Sequence, residues 1–124
     1  KLVDIADFCA GTGGMLSEAR RCVENHNTDA EIQLYGQELM DESFAICQAD
    51  MIMKGESSEN IRLGNTLSED KFRGEKFRFL ISNPPYGVTW KDEEKVIKQE
   101  AELGFDGRFG AGTPRVSDGS LLFL

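Results

Sequence analysis

Apolar residues along the chain fall into short runs separated by segments of helix length. Leu2-Val3-Asp4-Ile5-Ala6-Asp7-Phe8 predicts a strand that ends at a glycine cluster. A helix follows from about Gly14 to Glu24, with Met15, Leu16, Ala19 and Val23 on one face. Ile32 to Glu38 predicts a second strand. Asp41 to Lys54 predicts a second helix, with Asp41 as N-cap, Phe44, Ala45, Ile46, Ala49 and Ile52 facing inward, and Gly55 as its stop. Asn60 to Leu67 reads as a third strand with its exit, and Phe77 to Ser82 as a fourth, buried strand. Strands alternating with helices predict an α/β fold whose parallel sheet is covered on both faces.

The remainder is less regular. Lys91 to Glu102 is a charged stretch, read as a helix or a mobile loop. Gly104 to Pro114 reads as a glycine-rich loop, and Ser117 as the cap of a last helix opening at Leu121. A doubly wound sheet commonly has about five or more strands, and four are legible. The expectation is therefore a truncated sheet, with residues 1–124 forming a fragment, or a minimal piece, of a larger protein whose later strands lie elsewhere.

The 124 residues suffice for one core. No run is long enough to span a membrane and no signal-peptide pattern opens the chain. Three cysteines, Cys9, Cys22 and Cys47, lack CxxC spacing. They predict reduced thiols in a cytoplasmic protein, and neither a disulfide framework nor a metal site. Fourteen basic and 22 acidic residues leave a net charge of −8. Grip on a polyanion rests on neutralising phosphates, so work on DNA would need basic surface from other segments or subunits.

The candidate chemistry sits where strands end. Asp7-Phe8-Cys9-Ala10-Gly11-Thr12-Gly13-Gly14 follows the first strand. Glycines at a strand-to-helix turn let a ligand approach the backbone and leave helix N-terminal amides accessible. A dinucleotide fingerprint would place a third glycine three residues after Gly13, where Leu16 stands. The loop instead suits a nucleoside cofactor without a pyrophosphate, although a plain tight turn has the same composition. Glu38 closes the second strand, where an acid can accept from both ribose hydroxyls; a surface glutamate beside the next helix is the plainer reading. Asn65 ends the third strand, where its amide could read a base edge or simply form a turn.

Asn83-Pro84-Pro85-Tyr86 follows the fourth strand. The prolines fix φ and remove two amide donors, which stiffens the directions of the Asn83 and Pro84 carbonyls. The Asn83 side-chain oxygen and the Pro84 carbonyl can together hold the two hydrogens of an exocyclic amine, and Tyr86 offers a face on which a base can stack. An ordinary Pro-Pro loop would need none of this.

At these residues the sequence resembles the S-adenosylmethionine-dependent amino-methyltransferases. The order, cofactor loop before Asn-Pro-Pro-Tyr, is similar to that of adenine-N6 DNA methyltransferases. Tyr35 to Leu39, Ile61 to Leu67 and Arg108 to Asp118 most resemble the methyltransferase subunit of type I restriction–modification systems. The resemblance implies a Rossmann-like methyltransferase fold with a mostly parallel sheet. Asp7, Gly11, Thr12 and Gly13 would shape the S-adenosylmethionine pocket, Glu38 would bind the ribose and Asn65 the cofactor's adenine amine. Asn83 and Pro84 would accept from the target amine, Tyr86 would stack on a flipped adenine, and no metal is implied. Implied partners are double-stranded DNA in the intact complex, a specificity subunit and, where one exists, a restriction subunit. Phe8 stands where the family often has proline. The family's N-terminal helical domain and the motif that closes over the cofactor's methionine end precede the first strand, and only Lys1 stands there.

Three other functions compete. Protein glutamine methyltransferases also use Asn-Pro-Pro-Tyr, on a flat amide. A non-enzymatic assembly module would dock on a specificity subunit without binding cofactor. A nicotinamide dehydrogenase would leave Asn83 to Tyr86 without a purpose.

Overall fold

The computed structural model describes residues 1–124, which divide into two compact units, Lys1–Asn83 and Pro84–Leu124. The first unit holds the sheet. Its strands are β1 (Leu2–Asp7), β2 (Glu31–Glu38), β3 (Ile61–Leu63) and β4 (Phe79–Ile81), in the order β3-β2-β1-β4 and all parallel. The chain steps outward from β1 to β2 to β3, then returns to lay β4 against the other side of β1. That reversal is a topological switch point, and ligands of open α/β sheets bind outside the carboxyl ends of the strands at such a point.

Register explains the core. Val3 pairs with Ile32 and Ile5 with Leu34, so these four project from one face. Helices α1 (Gly14–His26) and α2 (Asp41–Met53) cover it, contributing Leu16, Cys47 and Met51, all fully buried. Ala19, Val23 and Phe44 pack against this cluster. On the other face the rings of Phe8, Tyr35, Phe72 and Phe77 lie 5.0–6.1 Å apart. The Arg62 guanidinium sits 4.0 Å over the Phe72 ring. Both faces are therefore covered, one by helices and one by aromatic rings. Phe8 takes part in the aromatic face, which gives the residue a packing role.

Several expectations are corrected. The N-cap of α2 is Met40, whose carbonyl accepts from Phe44 N–H at 2.9 Å, and Asp41 is the first helical residue. Asp41 and Glu42 in that first turn complement the helix dipole. The inward face of α2 is Cys47 and Met51; Ile46 and Ile52 are exposed. A helix that is apolar nearly all round carries no stripe from which its orientation can be read. The fourth strand is not buried. As an edge strand of three residues it leaves Phe79 and Leu80 about half exposed, at 49% and 64%. The third strand is shorter than expected, because Asn65 folds back into a turn: its Oδ1 accepts from Leu67 N–H at 2.9 Å.

The second unit has a small core of its own around Trp90, Ile97 and Phe109. Trp90 Nε1 donates to the Arg115 carbonyl at 2.9 Å and its backbone N–H to the Val116 carbonyl at 3.1 Å. The charged stretch contains helix α3 (Glu94–Ala101), whose last turn is followed by the Arg108–Glu100 ion pair at 2.7 Å. The last element is a 3-10 turn, Gly119–Phe123, entered at Asp118 and not at Ser117. No helix is long and apolar enough to cross a membrane.

Candidate functional site

Asp7, the last residue of β1, is opposite Gly36 of β2 on one side and Ile81 of β4 on the other. Strands in register end together, so the segments leaving them share one edge of the sheet. The loop after β1 carries Gly11, Thr12 and Gly13, the end of β2 carries Glu38, the turn after β3 carries Asn65, and the exit from β4 carries Asn83. All of these lie in the first unit. Pro84 and Tyr86 open the second, where Tyr86 is largely exposed.

The glycine loop is built by hydrogen bonds to its neighbours. Ala10 N–H donates to the Gln37 carbonyl at 3.1 Å, which lays the loop over the end of β2. Gly13 N–H donates back to the Ala10 carbonyl at 2.9 Å, closing a tight turn with φ of 55° at Gly11 and 86° at Gly13. Both are left-handed conformations that side chains disfavour by about 1–2 kcal/mol. The two differ in surroundings. A Cβ on Gly13 would stand 2.8 Å from Cys47 Sγ and 3.2 Å from Met51 Cε, whereas one on Gly11 would meet nothing within 4 Å. Gly13 is required by packing against α2, and Gly11 leaves its outer side open. Thr12, at the tip, is exposed.

Gly13→Ala is therefore expected to add overpacking of about 1–3 kcal/mol to the backbone cost, lowering Tm by about 10 °C or more. Gly11→Ala should lower Tm by only a few degrees. Thermal unfolding of both variants checks this; equal losses would contradict the packing difference.

Glu38 joins two loops. Its Oε2 accepts from Gly11 N–H at 2.6 Å and its Oε1 from Met40 N–H at 2.9 Å. Each carboxylate oxygen has a further lone pair, and the side chain is only half buried. A diol seated above Gly11 can thus donate to it twice.

Asp7 has the opposite character. It is 1% exposed; Oδ1 accepts from Cys9 N–H at 2.9 Å, and buried Oδ2 has no hydrogen-bond partner. Burial pushes its carboxyl above the ordinary 3.8, the Cys9 N–H opposes this, and the nearby Glu38 charge adds to it. Two carboxylates without a cationic partner make this edge electronegative, which suits a ligand bearing positive charge. Because the folded chain holds this proton more tightly than the unfolded chain, protonation contributes stability below pH 3.8. That contribution is lost as pH rises through the elevated value. The Tm difference between the ligand-free protein and Asp7→Asn should therefore shift against the unsubstituted protein as pH rises through that window. Identical pH profiles for the two proteins would contradict it.

One tether was not legible in the sequence. Thr66 Oγ1 donates to the Phe8 carbonyl at 2.6 Å, tying the turn after β3 to the start of the glycine loop. Cys9 is half buried. Burial raises the Cys9 thiol and pushes that of Cys47 up to about 11, so neither is a ready nucleophile. No cluster of His, Cys, Asp and Glu is arranged to hold a metal.

The edge therefore combines open space over Gly11, a half-buried carboxylate that holds the loop, and an electronegative floor, with Asn65 and Asn83 on the segments leaving β3 and β4. These residues fit a cationic nucleoside cofactor. The family model for N-6 DNA methylase matches residues 2–121. The methylase subunit of the type I restriction enzyme MjaVII from Methanocaldococcus jannaschii is 30% identical over 102 residues, which are 81% of this chain and 17% of that protein. The methylase subunit of the type I restriction enzyme MpnII from Mycoplasma pneumoniae is 26% identical over 121 residues, covering 89% of this chain and 21% of that one. In each comparison the chain spans about a fifth of the relative's length. A solved structure, the methyltransferase subunit of a type I restriction-modification system from Streptococcus thermophilus, superposes with a TM-score of 0.71 at 24% identity. It covers 98% of this chain and 26% of its own.

Proposed function

The chain belongs to the N-6 DNA methylase family, and on that premise we propose that it forms part of the catalytic domain of an adenine-N6 DNA methyltransferase, the modification subunit of a type I restriction–modification system. Its fold is the Rossmann-like fold of S-adenosylmethionine-dependent methyltransferases. The observation that carries the proposal is the register of β1 and β4. Asp7 opposite Ile81 means that the glycine loop and Asn83 leave adjacent strands at the switch point.

S-adenosylmethionine supplies a methyl group already activated by its sulfonium. Glu38 accepts from the ribose hydroxyls, and Asn65 accepts from the cofactor's adenine amine. Gly11, Thr12 and Gly13 give the nucleoside room, and the charge of Asp7 favours the cation. Asn83 Oδ1 and the Pro84 carbonyl accept from the two hydrogens of the target adenine amine, which orients its nitrogen for attack. Tyr86 stacks on the base once it has left the helix. The residues act by positioning and electrostatics.

Residues 1–124 are read as parts of one catalytic domain. With a net charge of −8, the grip on double-stranded DNA comes from other surfaces, above all a specificity subunit; a restriction subunit is a further partner. The free thiols fit a cytoplasmic protein.

Transfer of labelled methyl from S-adenosylmethionine, with the protein and its specificity subunit incubated with DNA, tests this reading. Label recovered as N6-methyladenine in digested DNA is expected. Label on glutamine side chains would replace the DNA substrate with a protein one. Docking on the specificity subunit without any transfer would make the chain an assembly module.

A further inference from the structure

One buried polar side chain has no part in the chemistry above. Gln37, next to Glu38, is 1% exposed. Its Nε2 donates to the Glu69 carbonyl at 2.7 Å, and its Oε1 accepts from Lys71 N–H at 3.3 Å. The partners fix the amide's orientation, since a carbonyl only accepts and a backbone N–H only donates. Glu69 N–H in turn donates to the Asn65 carbonyl at 2.7 Å, as Ser68 N–H does at 3.2 Å. Gly64 N–H donates to the Glu38 carbonyl at 2.9 Å, and the Gln37 carbonyl accepts from Ala10 of the glycine loop. The segment from Gly64 to Lys71 is thus held at its start by the β2 backbone, at Thr66 by the Phe8 carbonyl, and at its end by the Gln37 amide and the Arg62 guanidinium, with Asn65 between these anchors.

Resting on the cofactor reading above, we propose that Gln37 is a positioning residue that sets cofactor base specificity, holding the 64–71 turn so that Asn65 is fixed relative to Glu38. Glu38 takes the ribose and Asn65 the adenine amine, and a nucleoside is rigid enough that both contacts form only if the two residues keep their spacing. Loss of the Gln37 amide removes the two hydrogen bonds that tie Glu69 and Lys71 directly to β2, leaving that end on Arg62 alone and the spacing of Asn65 from Glu38 less fixed. The ribose contact survives and the base contact is lost.

The test is the ratio of dissociation constants for two ligands: S-adenosylhomocysteine, and its analogue with hydrogen in place of the adenine amine. The protein is expected to prefer the first by about tenfold, the worth of one well-placed hydrogen bond. Gln37→Met, of similar length and volume, is expected to bring that ratio close to one while the analogue's own affinity changes little. Gln37→Leu, which also removes both hydrogen bonds and adds no buried charge, serves if the methionine variant does not fold. A merely structural role would lower both affinities in parallel at constant ratio, and that result overturns the proposal. So does failure of both variants to fold, which would make Gln37 a stability residue. If the unsubstituted protein binds neither ligand, the cofactor reading itself fails, a result distinct from a preserved ratio.

Discussion

Replacing Asn83 by alanine is expected to lower the rate of methyl transfer by about 100-fold or more, the usual cost of removing one fixed hydrogen-bonding group from a transition state, while cofactor affinity stays unchanged. The argument rests on where Asn83 stands. It lies two residues beyond the end of β4, opposite the glycine loop's strand but outside the loop itself. Its side chain is exposed, so the fold loses little with it; surface substitutions of this kind usually stay within about 0.5 kcal/mol. What disappears, on the proposed role, is the acceptor for one hydrogen of the target amine as its nitrogen gains positive charge. Single-turnover transfer at saturating cofactor, beside a direct binding measurement, separates the two effects. Lost affinity with a normal transfer rate would remove Asn83 from the catalytic role.

Glu38→Ala is expected to do the reverse, weakening cofactor binding by about 100-fold or more and leaving transfer at saturating cofactor within a few-fold. Charge-assisted hydrogen bonds contribute about 1.5–3 kcal/mol each, and the alanine loses both ribose contacts. It also releases Gly11 N–H and Met40 N–H, which the carboxylate holds at 2.6 and 2.9 Å. The glycine loop therefore loses its preset shape as well as its ligand contact. Glu38→Gln, which retains one acceptor oxygen, should fall between the two. An unchanged dissociation constant for Glu38→Ala would contradict the ribose role.

The contrast between β1 and β4 explains how much of the molecule could be read from its sequence. Leu2 to Asp7 and Glu31 to Glu38 appear as expected, because each carries its own apolar run and its own turn signal. The strand, the glycine loop and the helix from Gly14 form one local unit whose pattern suffices. The exposure of Phe79 and Leu80 follows from strand order instead, and nothing within residues 79–81 records that they form an edge. The direction of α2 was equally hidden, since Ile46 and Ile52 are as apolar as Met51. The placement of Glu38, Asn65 and Asn83 was legible, because polar residues directly after apolar runs stand at the carboxyl edge of a parallel sheet. Gln37 lies only one residue from Glu38, but it looked like an ordinary polar position in an alternating strand. Its importance comes from Glu69 and Lys71, more than thirty residues away. Thr66 bonding to Phe8 is long-range in the same way.

Calorimetric titration with S-adenosylhomocysteine, run beside NADH, tests the central claim most directly. The account predicts saturable heat from the first ligand and none from the second, because the loop from Asp7 to Gly14 and the Glu38 carboxylate fit a nucleoside without a pyrophosphate. Saturable binding of NADH with none of S-adenosylhomocysteine would contradict it.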